Sequence, residues 1–334
     1  MTDTTTATTV APLPTDEVAR LGRAVLAEVG TAIVGMETAL RTALAAILAS
    51  GHVLFEDVPG LGKTLAARSL ATALGLDFRR LQCTPDLLPS DITGSLVFDP
   101  VTSTFQFRPG PVFTGLFLAD EINRTAPKTQ SALLEAMAER QVTVEGTTYP
   151  LEHPFHVVAT SNPVEYEGTY PLPEAQLDRF MVRLAVGYLD RDAEVDVLDR
   201  RLARRHEEVE VARVVDPQTL LAMQAGVEHV AVDRDVLRYC VDLAAATRRH
   251  PAVEVGASPR GTQALVLVAR GAAVLSGRGF VTPEDVKSIA VPALAHRLTL
   301  TPQAWAQGTQ PEAVVTSLLD QVAGPTSAPS ARRT

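Results

Sequence analysis

Cysteines, aromatic side chains and long apolar runs are all scarce in this chain of 334 residues. The two cysteines, Cys83 and Cys240, lie far apart and form no CxxC pair, which argues against a disulfide framework and fits a reducing compartment. No run approaches about 18 uninterrupted apolar residues, and the N-terminus lacks the basic start and apolar stretch of a signal peptide. The sequence therefore predicts a soluble, cytoplasmic protein without a membrane partner.

Basic charge is also in short supply. The chain has 30 Lys and Arg against 39 Asp and Glu, a net charge of -9. Such a surface does not bind a polyphosphate backbone through bulk electrostatics, so a nucleic-acid partner is a minority hypothesis. The hydrophobic share of 46% is ample for a core, and the length suits a principal domain with a smaller companion.

The pattern of apolar residues divides the chain into four predicted segments. Residues 1–16 and 324–334 are rich in Thr, Ala, Pro or Ser and have little to bury, which predicts disordered tails. Residues 17–189 alternate helical patterns with buried strand-like runs, which is typical of an α/β core with a parallel sheet flanked by helices. Residues 190–323 are dominated by helical patterns and predict an all-helical second domain.

Within these segments we predict particular elements. Two helices are expected between residues 15 and 50, and a further helix at 63–74. Alternating pairs around 96–107 and 141–149 predict two hairpins. Buried strands are predicted at 52–55, 116–119 and 156–159, and helices of the second domain at 193–205, 217–226, 233–249, 259–275 and 283–298.

Residues 57–64 match the phosphate-loop pattern GxxxxGK[ST] except at the first position, where Asp57 replaces glycine. The motif follows an apolar run and opens a helical pattern, so backbone N–H groups and the positive end of a helix face the ligand. Lys63 is placed to reach the β- and γ-phosphates of ATP, and the Thr64 hydroxyl to bind Mg²⁺. This context favours an ATP site over a chance glycine-rich turn.

Asp120 and Glu121 follow an apolar run directly, at the strand end where ligands bind in open α/β sheets. Two acids after a strand are, on their own, more often a loop start or a helix cap. Paired with the phosphate loop, Asp120 is predicted to hold Mg²⁺ through its solvent shell and Glu121 to polarise the attacking water. Asn162 ends a third buried run; an Asn before Pro often belongs to a turn, but here we favour a contact to the γ-phosphate or the water.

Together these motifs resemble the MoxR family of AAA+ ATPases, over about residues 18–320. The resemblance rests on 59–64 (PGLGKT), 119–124 (ADEINR), 127–137 (PKTQSALLEAM), 162–163 (NP) and 172–180 (LPEAQLDRF). It implies an AAA+ core with a helical lid, ATP and Mg²⁺ as cofactors, a homo-hexameric ring and a partner protein with a von Willebrand factor A (VWA) domain. It also implies that both hairpins line the pore side of the ring.

Two arginines gain roles from the same resemblance. Arg179 is similar to the arginine finger that reaches the γ-phosphate of a neighbouring subunit, although a pair with Asp178 or Glu174 is an alternative. Arg260 follows Ser258 and Pro259, a typical helix start, which places a cation in the first turn against the helix dipole. A phosphate would relieve this conflict. The motif resembles sensor 2, which acts within one subunit or across a boundary.

The predicted site is therefore extensive. The catalytic residues are Glu121, Asn162, Arg179 and Arg260, and Mg²⁺ is assigned to Thr64 and Asp120. An apolar box before the first ATPase helix is expected to contact adenine, although core packing explains Val34 equally well. The nucleotide-binding residues are Val34, Gly35, Val58, Pro59, Gly60, Leu61, Gly62, Lys63, Thr64, Leu65 and Asp120.

Three functions remain open at this point. The first is a chaperone or remodelling ATPase, which the resemblance favours. The second is a nucleic-acid motor, which the acidic balance and the few basic or aromatic residues of the hairpins disfavour. The third is a magnesium-chelatase-like subunit. An arginine-rich stretch at 200–206 is interleaved with acids, so we interpret it as a solvated, ion-paired helix face.

Overall fold

The computed structural model of the chain describes residues 10–163, 169–206 and 208–325. The helices are α1 (Thr15–Ala32), α2 (Glu37–Leu48), α3 (Lys63–Ala73), α4 (Pro89–Thr93), α5 (Pro127–Glu139), α6 (Glu174–Leu177), α7 (Arg191–Arg204), α8 (Pro217–Glu228), α9 (Arg234–Thr247), α10 (Pro259–Leu275), α11 (Pro283–Leu294), α12 (Pro302–Ala306) and α13 (Pro311–Gln321). The strands are β1 (Val53–Glu56), β2 (Phe78–Gln82), β3 (Gly94–Asp99), β4 (Thr104–Pro109), β5 (Leu116–Asp120), β6 (Gln141–Val144), β7 (Thr147–Pro150), β8 (His156–Ser161), β9 (Val182–Leu184), β10 (Val253–Val255) and β11 (Thr299–Leu300).

A five-stranded parallel sheet forms the centre of the α/β part, in the order β2-β5-β8-β1-β9. The three predicted strands are confirmed as β1, β5 and β8. Every residue of β5 and β8 is buried, which explains their nearly continuous apolar runs. The sequence did not reveal β2 and β9, because β2 is a polar edge strand with the sequence FRRLQ and β9 has only three residues.

Both predicted hairpins are present as antiparallel pairs, β3 with β4 and β6 with β7. The rings of Phe107 and Tyr149 stack with centroids 3.8 Å apart and an interplanar angle of 15°. This contact joins the first hairpin to the second, so the two pack together as one unit.

The segment after residue 190, here called the helical region (residues 191–325), departs from the expected all-helical structure. Its β10 and β11 form a short antiparallel sheet in which Val253 lies opposite Leu300. Strands of two or three residues are too short to produce a readable alternation, so the sequence pattern missed them. The helix predicted at 283–298 ends at Leu294 and continues as a single 3₁₀ turn, Ala295–Arg297.

The helical region and the sheet share one hydrophobic core, because α10 packs against α1 and α2. An added Cβ at Gly271 of α10 would lie 2.5 Å from the Ala45 carbonyl oxygen of α2, so the two backbones touch at this point. A second junction is Arg297, whose Nε donates to Asp178 Oδ1 at 2.6 Å and whose Nη2 donates to the Phe180 carbonyl at 2.8 Å.

The chain ends are only partly described. Helix α1 begins at Thr15, inside the segment 1–16 that we expected as a tail, and the Leu13 amide donates to the Ala222 carbonyl at 3.0 Å. Residues 1–9 and 326–334 lie outside the described residues. Among the helices that are described, none combines the length and the apolar character needed to cross a membrane.

Candidate nucleotide site

The phosphate loop connects the end of β1 to the start of α3. Gly60 and Gly62 adopt φ values of 84° and 82°, which non-glycine residues rarely accept. A Cβ built on either residue would meet no atom within 4 Å, so backbone conformation rather than lack of space requires glycine. Gly62 offers no side-chain cap to the first N–H groups of α3, and uncapped N–H groups at a helix start are the kind that bind a phosphate.

Lys63, the first residue of α3, turns its ammonium back over the loop. Its Nζ donates to the carbonyl oxygens of Asp57 at 2.5 Å and of Val58 at 3.1 Å. Burial lowers the pKa of Lys63, and the nearby carboxylates of Asp57 and Asp120 oppose this shift. A phosphate entering the loop would offer this ammonium a charged acceptor in place of two neutral carbonyls.

Asp120 ends β5 beside the loop, and each of its carboxylate oxygens has a hydroxyl partner. Thr64 Oγ1 donates to Oδ2 at 3.1 Å, and Thr160 Oγ1 of β8 donates to Oδ1 at 2.6 Å. A hydroxyl and one carboxylate next to a phosphate position are ligands of the class that Mg²⁺ prefers, with its remaining positions left to water and phosphate. The chain thus fits the predicted ion. In the described part of the chain no cluster of three or more His, Cys, Asp or Glu forms an all-protein metal cage.

Glu121 follows Asp120 in the left-handed conformation, with φ 57° and ψ 52°. Its amide donates to Thr160 Oγ1 at 2.7 Å, so Thr160 ties the backbone of one acid to the side chain of the other. Its Oε2 accepts from Gln82 Nε2 at 2.7 Å and from Arg124 Nη1 at 3.0 Å. The carboxylate is therefore held on the side of β2.

Arg80 belongs to this cluster, although we did not predict it from the sequence. Its Nη2 lies 2.7 Å from Asp120 Oδ2, and its Nε donates to the same oxygen at 2.8 Å. Both Arg80 and Gln82 belong to β2, which we did not predict. No signal in the sequence could have found them, because they approach the acids only through the register of β2 on β5, which places Gln82 opposite Asp120.

Asn162 comes directly after β8, the strand between β1 and β5. Its carbonyl accepts from Asn123 Nδ2 at 3.1 Å and its amide donates to Asn123 Oδ1 at 3.4 Å. This double contact fixes the Asn162 backbone at the same sheet edge as the phosphate loop and the two acids. Residues 164–168, which follow Pro163, lie outside the described residues.

A cavity of about 420 Å³ adjoins this edge, between the sheet and the helical region. Gly35 lines it, together with Val186 beyond β9 and Val291 and Pro292 of α11. Gly35 has φ 74°, a left-handed conformation that favours glycine, and a Cβ there would also push the Leu189 side chain aside. We call this cavity the base cavity, after the adenine contact that the sequence predicts for Gly35. Val34, which we also predicted to contact adenine, is not among the described residues that line it.

Arg179 and Arg260 meet in a different cavity, of about 200 Å³, which also contains Arg140 and Arg297. Its wall includes residues 50–52, at the N-terminal end of β1, whereas the phosphate loop follows the C-terminal end of the same strand. The four residues of β1 span roughly 13 Å. This arginine cavity therefore opens on the edge of the sheet opposite the phosphate loop.

The partners of these arginines bear on their roles. Arg179 Nη1 donates to the Leu134 carbonyl. Asp178, an alternative partner of Arg179, instead accepts from Arg297 and, at 3.1 Å, from Ser258 Oγ. The other alternative, Glu174, has a side chain outside the described ones. Ser258 caps α10 as predicted, accepting from the Gly261 amide at 3.2 Å, and no partner of Arg260 is found within the described ranges.

Comparisons with known proteins fit this geometry. Residues 52–182 match the model of the ATPase family associated with various cellular activities (AAA), and residues 245–318 match an AAA lid domain. Chaperone MoxR1 of Mycobacterium tuberculosis is 40% identical over 320 residues, 92% of this chain and 83% of that protein. The chain belongs to the MoxR family of AAA ATPases.

Two further similarities extend over nearly all of this MoxR-family chain. The uncharacterized protein YeaC of Bacillus subtilis is 48% identical over 305 residues, 91% of this chain and 95% of YeaC. A crystal structure of a candidate ATPase from Cytophaga hutchinsonii superimposes with a TM-score of 0.86 at 39% identity, covering 93% of this chain and 97% of that one. The phosphate loop, both acids, Asn162 and Arg179 lie within the matched AAA segment, and Arg260 lies within the matched lid.

Proposed function

We propose that this MoxR-family protein hydrolyses Mg-ATP in a homo-hexameric ring and uses the energy for chaperone-like remodelling of a partner protein. Hydrolysis of ATP is what membership of the AAA family implies. The observation that carries the ring is the position of the arginine cavity, on the sheet edge opposite the phosphate loop. A cation cluster so placed can complete an ATP site only when it belongs to another subunit.

Within one subunit, the residues at the phosphate loop have separate roles in binding ATP and hydrolysing it. Loop amides and Lys63 bind the phosphates, and Thr64 and Asp120 hold Mg²⁺, which neutralises phosphate charge when bound. Glu121 orients and polarises the attacking water, and Asn162 contacts the γ-phosphate or that water. The base cavity, with Gly35 at its wall, receives adenine.

Arg179 and Arg260 act on the ATP of the neighbouring subunit. Four arginines line one cavity, in which Arg297 is buried and Arg260 is exposed, with Asp178 as the one carboxylate among the described residues of its wall. Positive charges that line the same small cavity repel one another unless an anion binds between them. A γ-phosphate from the adjacent subunit supplies that anion, so both arginines are assigned to action in trans.

The partner protein that is remodelled is proposed only as a class of protein. MoxR1 is a chaperone by name, and family resemblance suggests a partner with a VWA domain. The joined hairpins expose Phe98 and Phe105, whose rings meet edge to face at 5.4 Å. An exposed apolar pair on the joined hairpins suits contact with a protein better than with a phosphate backbone.

Mixing two inactive variants tests the function and the ring together. Arg179→Ala should retain ATP binding and hydrolyse poorly, because binding uses the loop of the same subunit while transition-state charge is met from the neighbour. Lys63→Ala should lose ATP affinity but still carry an intact Arg179. Mixed rings should recover part of the activity, with maximal phosphate release at intermediate composition.

Controls keep this experiment decisive. Arg238→Ala, on the exposed surface of α9, should behave as wild type alone and in mixtures. Co-purification of the Lys63→Ala protein with Arg179→Ala subunits that alone carry an affinity tag would show that mixed rings form. If such rings are no more active than the sum of their parts, Arg179 does not act in trans, and unchanged ATP affinity in Lys63→Ala would remove the assigned loop.

A further inference from the structure

Asp57 occupies the one position at which the phosphate loop departs from the general pattern, and its carboxylate is fully engaged. Its Oδ2 accepts from the amides of Val186 and Gly187, each at 2.6 Å, and its Oδ1 accepts from the Val58 amide at 2.8 Å. Its backbone is not left-handed, so glycine is not required here for conformational reasons. The aspartate therefore adds contacts that the usual glycine cannot make.

The donors of two of these bonds, the Val186 and Gly187 amides, lie in the crossing segment, residues 185–190, which leads from β9 to α7 and so from the sheet to the helical region. The backbone pairing of β1 with β9 ends at Phe55 and Leu184. Beyond that point, side chains continue the contact. Because β1 and β9 no longer pair here, the Asp57 carboxylate accepts hydrogen bonds from amides that would otherwise bond to water.

An ion-pair chain runs parallel to this contact. Glu56 Oε2 lies 2.7 Å from Arg183 Nη1, and Arg183 Nη2 lies 2.6 Å from Glu312 Oε1 in α13. The end of β1 is thus tied to the crossing segment through Asp57 and to the last long helix of the helical region through Glu56. The two ties start at adjacent residues, the last residue of β1 and the first residue of the loop.

Asp57 also contacts both parts of the nucleotide site, the phosphate loop and the base cavity. Its carbonyl oxygen accepts from Lys63 Nζ at 2.5 Å, and its carboxylate fixes Val186, which lines the base cavity. A bound phosphate would draw the Lys63 ammonium away from the Asp57 carbonyl. The carboxylate of the same residue holds Val186, so a shift of Asp57 would move the base-cavity wall and the crossing segment with it.

We propose that Asp57 is a positioning residue that couples occupancy of the phosphate loop to the position of the helical region through Val186 and Gly187. This inference rests on the proposed ATPase function. Without the carboxylate the loop can still bind phosphate, since its glycines, amides and Lys63 remain. The crossing segment would then no longer follow the loop, and the approach of groups needed for hydrolysis would be lost.

Asp57→Gly, which restores the general pattern, is the informative variant. We expect its Kd for ATP, measured by calorimetry, to stay within about threefold of wild type, and kcat to fall about tenfold or more, as misplacement of reacting groups does. Hydrogen exchange should show that nucleotide protects residues 185–190 in wild type and not in this variant. Asp57→Asn keeps one acceptor oxygen and should lie between the two.

Asp190→Asn is the matched control, because it changes a carboxylate of the same segment. Asp190 Oδ1 accepts from the Ala193 amide at 2.8 Å and caps α7 without touching the loop. We expect wild-type kcat and wild-type nucleotide-dependent exchange in this variant. A loss of kcat equal to that of Asp57→Gly would mean that general loosening of the segment, rather than the tie to the loop, is responsible, and would overturn the inference.

The remaining outcomes also decide the matter. Wild-type kcat and exchange in Asp57→Gly would overturn the coupling while leaving the ATPase function intact. Absence of ATP hydrolysis by the wild-type protein would instead overturn the proposed function itself. If Asp57→Gly fails to fold, as judged by circular dichroism, Asp57→Asn takes its place, and unchanged kcat and exchange in that variant count against the proposal.

Discussion

Replacing Arg297 by methionine removes a guanidinium from the junction between the helical region and the sheet while keeping much of the apolar stem. The Arg297 side chain is 3% exposed. Besides the ion pair with Asp178, it donates to the backbone carbonyls of Phe180 at 2.8 Å and Met181 at 3.3 Å. These carbonyls belong to the chain between Arg179 and β9, so the substitution should loosen the site as well as the fold.

The expected loss in the free energy of unfolding depends on Asp178, the carboxylate that stays behind without its partner. Breaking a buried ion pair by removing one partner costs about 3–5 kcal/mol, because the other charge remains without compensation. Asp178 is 22% exposed and keeps its bond from Ser258 at 3.1 Å, so the lower end, about 3 kcal/mol, applies. For a chain of this size, that corresponds to a fall in Tm of about 4 °C.

Thermal and urea denaturation followed by circular dichroism would measure this loss. Arg238→Met is the matched control, because Arg238 pairs with Asp235 at 2.6 Å on the exposed face of α9. Exposed pairs of this kind contribute little, so its Tm should change by less than about 1 °C. Equal Tm values for the two variants would refute the reasoning that Arg297 holds the two parts together.

Two further predictions concern protonation and catalysis. Burial, helped by the nearby His156, lowers the pKa of His52 to about 3, and burial lowers that of His156 to about 4. The unfolded chain binds these protons below about pH 6.5, whereas the folded chain binds them only near pH 4 and below. The free energy of unfolding should therefore fall as the pH is lowered from about 6.5 towards 4. Urea titrations should show a loss of up to about 2 kcal/mol per histidine at pH 5. His52→Gln should reduce the loss and the exposed His229→Gln should not; equal stability at pH 7 and pH 5 would contradict the assignment. Glu121→Gln should bind ATP but hydrolyse it about 100-fold more slowly, since it keeps shape and loses charge, whereas Glu135→Gln, exposed on α5, should not change the rate; wild-type turnover in Glu121→Gln would place the base elsewhere.

Local spacing was enough to predict the elements that build one edge of the sheet. A phosphate loop is contiguous in sequence, and the two acids and Asn162 each follow a buried strand. In a parallel sheet all C-terminal strand ends meet at one edge, so three separate motifs converge without knowledge of the packing. The strands β1, β5 and β8 and the helix α3 were predictable for the same reason, because their apolar patterns are strong and local.

The sequence alone could not supply the polar neighbours of those motifs. Arg80 and Gln82 lie on a polar edge strand with no recognisable alternation, and they approach the acids only through the register of β2 on β5. The partners of Asp57, Val186 and Gly187, are two backbone amides about 130 residues away. Backbone donors carry no sequence signature, so such contacts become visible only in three dimensions.

The amino-acid sequence by itself determined the family, the sheet edge with its phosphate loop and acids, and the helical character of the second part, because each depends on residues close together in the chain. Only the tertiary structure decided which groups share the opposite edge. Arg179 and Arg260 are brought into one cavity by the packing of α10 and the Arg297 junction against the sheet. That packing buries apolar surface between distant segments, and no local pattern records its geometry.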